Sequence, residues 1–412
     1  MELDERPLHN EIFFAIARKN AAQDRSVLDV HEDPSSGSDE ANCEKEPLCS
    51  SLDELFQAHN PPVFLAPMAG ITDALFRRLV CSFGASAVVS EMISCEALVR
   101  NNKKTYRRAS VTVRAAQAFT LAEAASTSQA HLAYHSEGSD SINTCDAITQ
   151  VMGSDPQTMA ESAKINESLG ADVIDINMGC PARKIVSNES GSALMKNEDL
   201  AVRIAEAVVN AVKIPVTLKM RLGWDAEHIN CLSLAKKFED VGIKMLAIHC
   251  RTRNQMYSGT ADWSAISQLK EIIKIPYLCN GDIKTPENAM EAIKLSGANG
   301  VMIGRAALGR PWLLRQIMDF IHEEKTTQSP TLEEQFNIVM QHFSDTLEFY
   351  GELHGIRMFR KHFCWYSNSL CGASKFRETI NRSDDISFIK DCVKEFYESN
   401  FVRNRFGECD AC

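Results

Sequence analysis

No stretch of the chain approaches the ~18 consecutive apolar residues that a membrane-crossing helix needs, which excludes an integral helical membrane protein. No secretory leader is expected either. The early apolar burst, Ile12 to Ala17, is short and follows Glu2, Asp4, Glu5 and Glu11 where a basic lead would stand. No G-x-G-x-x-G follows an early strand, which disfavours a doubly wound dinucleotide-binding sheet. Neither aromatic (7%) nor charged (24%) content departs from that of an ordinary folded protein, so fibrous and disordered classes are excluded. Cysteine is not scarce, at 14 residues, but Cys81, Cys231, Cys250 and Cys279 lie inside apolar runs in a chain too long for a disulfide scaffold. Reduced thiols in a cytoplasm are expected. Cys409 and Cys412 lack the two further ligands of a structural zinc site, and Cys43 and Cys49 have the wrong spacing to supply them, so no metal is expected.

What the chain does have is length for about two to three domains and an uneven distribution of charge. The net charge is −11, yet residues 1–60 hold 14 acidic against 5 basic side chains, which leaves residues 61–412 nearly neutral. Two stretches are locally basic. Residues 100–114 contain Arg100, Lys103, Lys104, Arg107, Arg108 and Arg114 with no acid. Residues 357–382 contain Arg357, Arg360, Lys361, Lys375, Arg377 and Arg382 against Glu378 alone, with Trp365 and Tyr366 interleaved. Positive charge beside stacking rings suits a phosphate backbone with splayed bases, although two solvated faces would read the same way.

Residues 1–60 divide into a short helical stretch at 10–20 and a Ser/Asp/Glu/Gly-rich run at 29–51 that cannot bury enough apolar surface to offset its ordering entropy. An acidic, largely disordered extension is expected there. From Pro62 onward, short apolar runs alternate with amphipathic helical stretches to about residue 320. The expected strands are 63–65, 87–91, 147–151, 173–177, 216–220, 245–249, 277–280 and 300–303. Asp155-Pro156 and Thr285-Pro286-Glu287 open helices with Pro near the first helical position, as does Asn197-Glu198-Asp199 without it. Near-continuous apolar strands suit a parallel sheet buried on both faces, and eight of them in βα alternation predict a (β/α)8 TIM barrel over 61–325. More than 50 residues separate the second and third strands, so an insertion is expected at about 101–144, with 115–133 able to form a helix. Beyond 330 the rhythm stops. Amphipathic helices at 332–353 and 386–396 predict a small helical C-terminal domain, 326–412.

In such a barrel, chemistry belongs at the C-terminal ends of the strands, and each strand end here carries polar or small residues that a plain core would not need. The first ends in Ala66-Pro67-Met68-Ala69-Gly70, small enough for a flat ligand to approach the backbone. The third ends in Gln150 and the fourth in Asn177-Met178-Gly179-Cys180-Pro181. Lys219 and Arg221 close the fifth, His249 and Arg251 the sixth. Asn280-Gly281-Asp282 and Gly304-Arg305 follow the last two strands, where glycine turns and a helix N-terminus tend to hold a phosphate. Lys219 suits either a Schiff base or a cation beside an electron-rich ring. His249 by itself is more often a satisfied core histidine than a catalyst, and a free Cys such as Cys180 is usually a small buried hydrophobe. A thiol in that loop is also suited to general-acid work, because its ordinary pKa of about 8.5 keeps it protonated near neutrality.

Taken together these strings resemble the tRNA-dihydrouridine synthase family, of the FMN-dependent bacterial type. The resemblance rests on Ala66-Pro67-Met68-Ala69-Gly70-Ile71-Thr72-Asp73, Gly153-Ser154-Asp155-Pro156 and Asp175-Ile176-Asn177-Met178-Gly179-Cys180-Pro181. Gly191-Ser192-Ala193-Leu194-Met195, Lys219-Met220-Arg221, His249-Cys250-Arg251-Thr252-Arg253, Asn280-Gly281-Asp282 and Gly304-Arg305-Ala306 continue it in order, and Arg360-Lys361-His362 with Trp365-Tyr366 resembles the motif of the family's helical RNA-binding domain.

The resemblance covers about residues 62–382. It implies reduction of the C5–C6 double bond of particular tRNA uridines, with FMN as cofactor and NADPH as electron donor. By that similarity Pro67, Met68, Ala69, Gln150, Lys219, His249, Asn280, Gly281, Asp282, Gly304 and Arg305 would bind the cofactor. Asn177, Arg221, Arg360, Lys361, His362 and Tyr366 would meet the substrate, and Cys180 would be the catalytic acid. Reaching a uracil in folded tRNA requires taking it out of its stack. The acidic extension and the 101–144 insertion have no counterpart in the family pattern. Two other classes stay open at this level. One is an FMN barrel acting on a small molecule, which the basic aromatic C-terminal stretch speaks against. The other is a lysine aldolase or a non-catalytic RNA-binding barrel. A cytoplasmic monomer with tRNA as its partner and no membrane association is expected.

Overall fold

The structure is a computed structural model, and it describes residues 52, 55–57, 60–106, 108–109 and 147–406. The helical stretch and acidic run expected before residue 52, most of the 101–144 insertion and the Cys409/Cys412 pair lie outside the described residues.

Parallel strands close on themselves. They are β1 (Val63–Leu65), β2 (Ala87–Val89), β3 (Ile93–Ser94), β4 (Ala147–Met152), β5 (Val173–Met178), β6 (Val216–Arg221), β7 (Met245–His249), β8 (Tyr277–Asn280) and β9 (Gly300–Ile303). β1 pairs with β2 on one side and β9 on the other, and β2 also pairs with β4, so the sheet has no open edge. β2 and β3 both run beside β4 and form one stave interrupted at residues 90–92, which leaves eight staves in all. This is the expected (β/α)8 barrel.

Alternation along the strands divides the core into two. Val63 and Leu65, Ile174 and Ile176, Leu218 and Met220 point outward under the helices. The other parity points into the barrel, where Phe64, Ala87, Ile148, Val173, Met245, Ala247, Leu278 and Met302 make an apolar layer. Further along the strands, that parity delivers polar side chains: Gln150, Asp175, Asn177, Lys219, His249 and Asn280, all buried. Because side chains alternate with a period of two, the barrel has an apolar floor and a polar layer toward its C-terminal mouth. Leu52 and Leu55 are buried in the apolar floor, with the Phe56 ring 6.4 Å from that of Phe64. The end of the expected 1–60 extension is therefore packed into the barrel, because its leucines share the apolar cluster of Phe64, Ala87 and Ile148.

Helices start where their caps dictate. In α1 (Ala74–Ser82), Asp73 accepts the Phe76 N–H at 2.9 Å. α2 (Cys95–Val99) follows β3. In α3 (Pro156–Ser168), Asp155 accepts the Thr158 N–H at 2.8 Å, with Pro at the first position. The remaining barrel helices are α4 (Arg183–Val186), α5 (Glu198–Val209), α6 (Cys231–Asp240), α7 (Leu269–Ile272), α8 (Pro286–Ser296) and α9 (Leu313–Glu323).

Beyond them stand α10 (Leu332–Tyr350), α11 (Glu352–Tyr366), α12 (Ala373–Asn381) and α13 (Ile386–Phe406). α10 opens with a reciprocal capping box between Thr331 and Glu334. These four helices share a core of their own, built on Phe343, Phe359, Phe363, Phe376 and Tyr397, with Phe376 and Phe396 stacked at 4.2 Å. Each ring buried there contributes roughly 1.5–3 kcal/mol. Two of the four, α11 and α12, were not expected from periodicity. Gly355 and a polar-aromatic alternation mask α11, and α12 is only 9 residues.

Among the described residues no helix is long and apolar enough to cross a membrane, and no cluster of His, Cys, Asp or Glu could hold a metal. Cys95, Cys180, Cys231, Cys250, Cys279, Cys364 and Cys392 are free thiols. Cys81 and Cys371 depart from the expectation of reduced cysteines. Both are disulfide-bonded, and both lie half-buried.

Candidate active site

At the barrel mouth a cleft of about 960 Å³ is lined by Pro67, Met68, Lys219, His249, Asn280, Gly281, Asp282, Gly304 and Arg305 among others. That is at the upper end of the usual size for a cofactor or small-molecule pocket. Of the residues expected to bind a cofactor, these nine share the cleft wall, whereas Ala69 is exposed beside it and Gln150 is buried beneath.

Lys219 is the centre of the polar layer. Its ammonium donates to Asn280 Oδ1 at 3.0 Å, and Asn280 in turn donates to the Met302 carbonyl at 2.6 Å. Burial, aided by the charge of Arg221, lowers the Lys219 pKa to about 8. His249 is held far below its ordinary value by burial and by the cations Lys219, Arg221, Arg251 and Arg305, so its imidazole is neutral. Arg251 can only donate, and its Nη1 lies 3.5 Å from His249 Nε2, which assigns the ring proton to Nδ1.

Asp282 lines the cleft as an anion held by neighbouring donors. Burial raises its pKa, but its bonds from Arg251 and the Ala261 N–H outweigh that and keep it low, so it is ionised. It pairs with Arg251 through both oxygens, accepts Ala261 N–H at 2.9 Å and lies 3.4 Å from Arg305. Its role is to aim two guanidiniums. Trp263 donates to the Gly281 carbonyl at 2.7 Å, which fixes the turn. Lys284 and Arg310 also line this end of the cleft, so a protein of net charge −11 presents a cationic mouth suited to an anionic ligand.

Beside the cleft, the β5 end is organised by one relay. Asp175 accepts from Thr217 Oγ1 and from Gln150 Nε2, each at 2.7 Å. Gln150 Oε1 accepts from Asn177 Nδ2 at 2.8 Å. Asn177 Oδ1 then accepts the backbone N–H groups of Gly179 (3.2 Å) and Cys180 (3.0 Å). On the other side Ser192 holds the Cys180 carbonyl with its hydroxyl at 2.9 Å and its N–H at 3.1 Å. Gly191 (φ +61°) allows this approach, since a Cβ there would sit 2.8 Å from the Cys180 oxygen. The loop is pinned while the Cys180 thiol stays free and only half-buried. Arg221, expected to meet substrate, is instead 1% exposed and donates to the carbonyls of Gly179 (2.8 Å), Thr252 and Met256 (2.9 Å each). It builds the loops around the site.

The C-terminal motif is dispersed. Arg360 donates to the Ser383 carbonyl and to Asp384 at 2.7 Å, and Arg357 also lies 3.7 Å from Asp384. The basic stretch at 357–382 thus meets its counter-charge just past its end. Lys361 donates to the Gly70 carbonyl. His362 is 4% exposed and packs on Phe76 and His342, so it offers no surface to a substrate. Tyr366 reaches the far wall of the cleft, yet it is 5% exposed and its hydroxyl lies 3.1 Å from His342 Nδ1.

One residue that sequence reasoning passed over is Tyr257. Its half-exposed ring lies 4.7 Å from the Arg305 guanidinium, 5.7 Å from that of Arg221 and 6.3 Å from His249. A single Tyr in a polar loop carries no signal of such a position. Asp175 was likewise passed over, although an acid inside an apolar strand is itself a signal of buried polar work.

Against this geometry stand the comparisons with known proteins. A family model described as dihydrouridine synthase (Dus) matches residues 64–399. A probable tRNA-dihydrouridine synthase of Rickettsia conorii is 41% identical over 346 residues, 84% of this chain and 96% of that protein. Its counterpart in Rickettsia bellii is 43% identical over 337 residues, 82% and 95% of the two chains. A tRNA-dihydrouridine synthase B of Pseudomonas syringae pv. tomato is 39% identical over 342 residues, 83% and 93%.

Proposed function

The chain belongs to the dihydrouridine synthase family and is an enzyme that forms dihydrouridine in tRNA, and we propose that it does so with FMN in the barrel mouth and NADPH as reductant. The observation that carries the cofactor reading is Lys219. It is a buried cation hydrogen-bonded to a neutral amide, set in a cleft whose other end is glycine-lined and cationic. An anionic, ring-bearing ligand fits both ends. A Cβ on Gly304 would find nothing closer than Ala66 Cβ at 3.8 Å, so there is room for a phosphate to approach that backbone.

In this reading Pro67, Met68 and Ala69 flank the ring, Lys219 and His249 meet its polar edge, and Asn280, Gly281, Gly304 and Arg305 hold the phosphate end. Asp282 serves by orienting Arg251 and Arg305. Held by these residues, FMN would supply hydride chemistry for reduction of the uracil C5–C6 bond, with NADPH as its reductant. Cys180 gives its thiol proton to C5 and regains one from solvent. Asp175, Gln150 and Asn177 keep the loop that presents this thiol in one position. Arg221 fixes the same loop from below.

The four C-terminal helices are read as the tRNA-binding domain, with exposed Lys375 as a phosphate contact and with Arg357 and Arg382 available to phosphates only in exchange for Asp384 and Glu378. The enzyme is proposed to act as a cytoplasmic monomer. A visible spectrum of the purified protein tests the cofactor: bands near ~450 nm, bleached by anaerobic NADPH, are expected. A colourless protein that FMN cannot colour would overturn it. Nucleoside analysis of treated tRNA tests the product.

A further inference from the structure

Lys361 lies on α11, in the helical bundle, yet its ammonium donates to the backbone carbonyl of Gly70, in the β1 loop that carries Pro67 and Met68 into the cleft. The same residue is held from its other side, because the Gly70 N–H donates to Glu91 Oε1. Glu91 is buried and occupies the break between β2 and β3. Both polar groups of one peptide-bearing residue are thus tied to separate elements. Gly70 sits at φ +74°, a conformation that side-chain-bearing residues rarely adopt, so the loop turns at this point. Within the loop the Met68 N–H donates to Thr72 Oγ1 at 2.9 Å, and the Ile71 and Thr72 N–H groups return to the Met68 carbonyl at 3.0 Å. A shift of Gly70 therefore moves Met68.

The surroundings of Lys361 are those of a seam. Asp73 caps α1 and accepts the Tyr350 hydroxyl of α10 at 3.0 Å, and Arg78 of α1 pairs with Asp345 of α10. Burial lowers the Lys361 pKa while Asp73 and Glu91 raise it, so the ammonium is answered by acids of the barrel. The bonded partner of the ammonium is the Gly70 carbonyl, and the two acids act on it through their charge.

We infer that Lys361 is a positioning residue that ties the helical bundle to the cofactor-side loop through Gly70, and not a phosphate contact. The inference rests on the functional reading above for its link to the cofactor. Its consequence is that tRNA seated on the bundle bears on the geometry of Pro67 and Met68, so that substrate docking and the flavin side of the cleft are mechanically coupled.

The test uses full-length holoenzyme with Lys361→Met, Lys361→Arg and Glu91→Gln. For Lys361→Met, kcat is expected to fall about tenfold or more, since small misplacements near reacting groups are costly. The Kd for tRNA should stay within about twofold and its salt dependence should be unchanged. Amide hydrogen exchange across residues 66–72 should quicken in Lys361→Met and in Glu91→Gln, and Lys361→Arg should restore protection. That restoration also separates the effect from misfolding. A salt slope reduced by about 1 with kcat unmoved would mark a phosphate contact and overturn the inference. Unchanged exchange and unchanged kcat would overturn it as well. If the wild-type protein neither retains FMN nor forms dihydrouridine, the functional reading fails, while quickened exchange at 66–72 would still uphold the tie to Gly70.

Discussion

The Lys219 ammonium donates to Asn280 Oδ1 at 3.0 Å, across the barrel from β6 to β8, and its acceptor is an amide where a carboxylate would have neutralised it. Asp175, the carboxylate whose charge acts on Lys219, is occupied by Thr217 and Gln150, and burial raises its pKa. A buried cation without a bonded counter-ion is available to stabilise negative charge that arrives with a ligand.

Replacing it should show in the redox behaviour of the protein. In Lys219→Met, bound flavin should become harder to reduce by some tens of millivolts, about 30 mV corresponding to 1.4 kcal/mol for two electrons. A redox titration of the purified variant beside the wild type measures this. An unmoved potential would place Lys219 away from the flavin.

The thiol of Cys180 is separable from the chemistry that charges the cofactor. Cys180→Ala should lower dihydrouridine formation by roughly 10²- to 10⁴-fold, the usual range for loss of a general acid. NADPH should bleach the flavin at the wild-type rate. Stopped-flow reduction without tRNA and single-turnover nucleoside analysis with it separate the two steps. Loss of both would deny Cys180 a role confined to protonation.

Two glycines offer a contrast. At Gly281 (φ +118°) an added Cβ would lie 2.8 Å from His249 Cδ2 and 2.9 Å from Ala261 Cβ, so Gly281→Ala should destabilise the protein by about 1–3 kcal/mol with or without FMN. At Gly304 the nearest atom is 3.8 Å away, so Gly304→Ala meets no clash and the apoprotein should lose only the strain of a backbone at φ −108° and ψ −112°, about 1 kcal/mol. Its FMN affinity should nonetheless fall if a phosphate approaches that backbone. Thermal melts with and without FMN decide, and equal stabilisation of wild type and Gly304→Ala by FMN would refute the contact.

Burial lowers the His342 pKa to about 3, and His249 and His362 are lowered as well. Unfolded imidazoles titrate near ~6.5, so between that pH and about 3 the unfolded chain binds the proton and the folded chain does not. Stability should therefore be full above pH ~6.5 and fall as the pH drops below it. His342→Gln should flatten that fall by up to ~1.4 kcal/mol per pH unit, whatever it does to stability at neutrality. Urea unfolding at a series of pH values from 7 to 4 supplies the slopes. Parallel slopes for the two proteins would mean that His342 is not the buried neutral group.

Much of the architecture was legible because parallel barrel strands are buried on both faces and stand out as apolar runs bounded by caps and prolines. The strands at 63–65, 245–249, 277–280 and 300–303 coincide with those observed, and Pro156 and Pro286 open their helices as read. The site on the barrel was legible for a related reason. Lys219, His249 and Asn280 are polar residues at the ends of apolar strands, and the period of two sends them all to the same mouth.

The C-terminal motif was not legible in this way. Arg360, Lys361 and His362 are consecutive on one helix, so each points about 100° from the last. One meets Asp384, the next the Gly70 carbonyl, the third the aromatic core. Composition sees three basic side chains together, and only packing separates them. The sequence by itself thus determined the barrel, its polar mouth and the family. The tertiary structure alone decided that Arg221 and His362 are interior, that Asp282 serves Arg251, that Tyr257 stands at the cleft and that Lys361 spans the seam. Such assignments depend on which partner lies within about 3 Å, and these partners sit at sequence separations that no local pattern records.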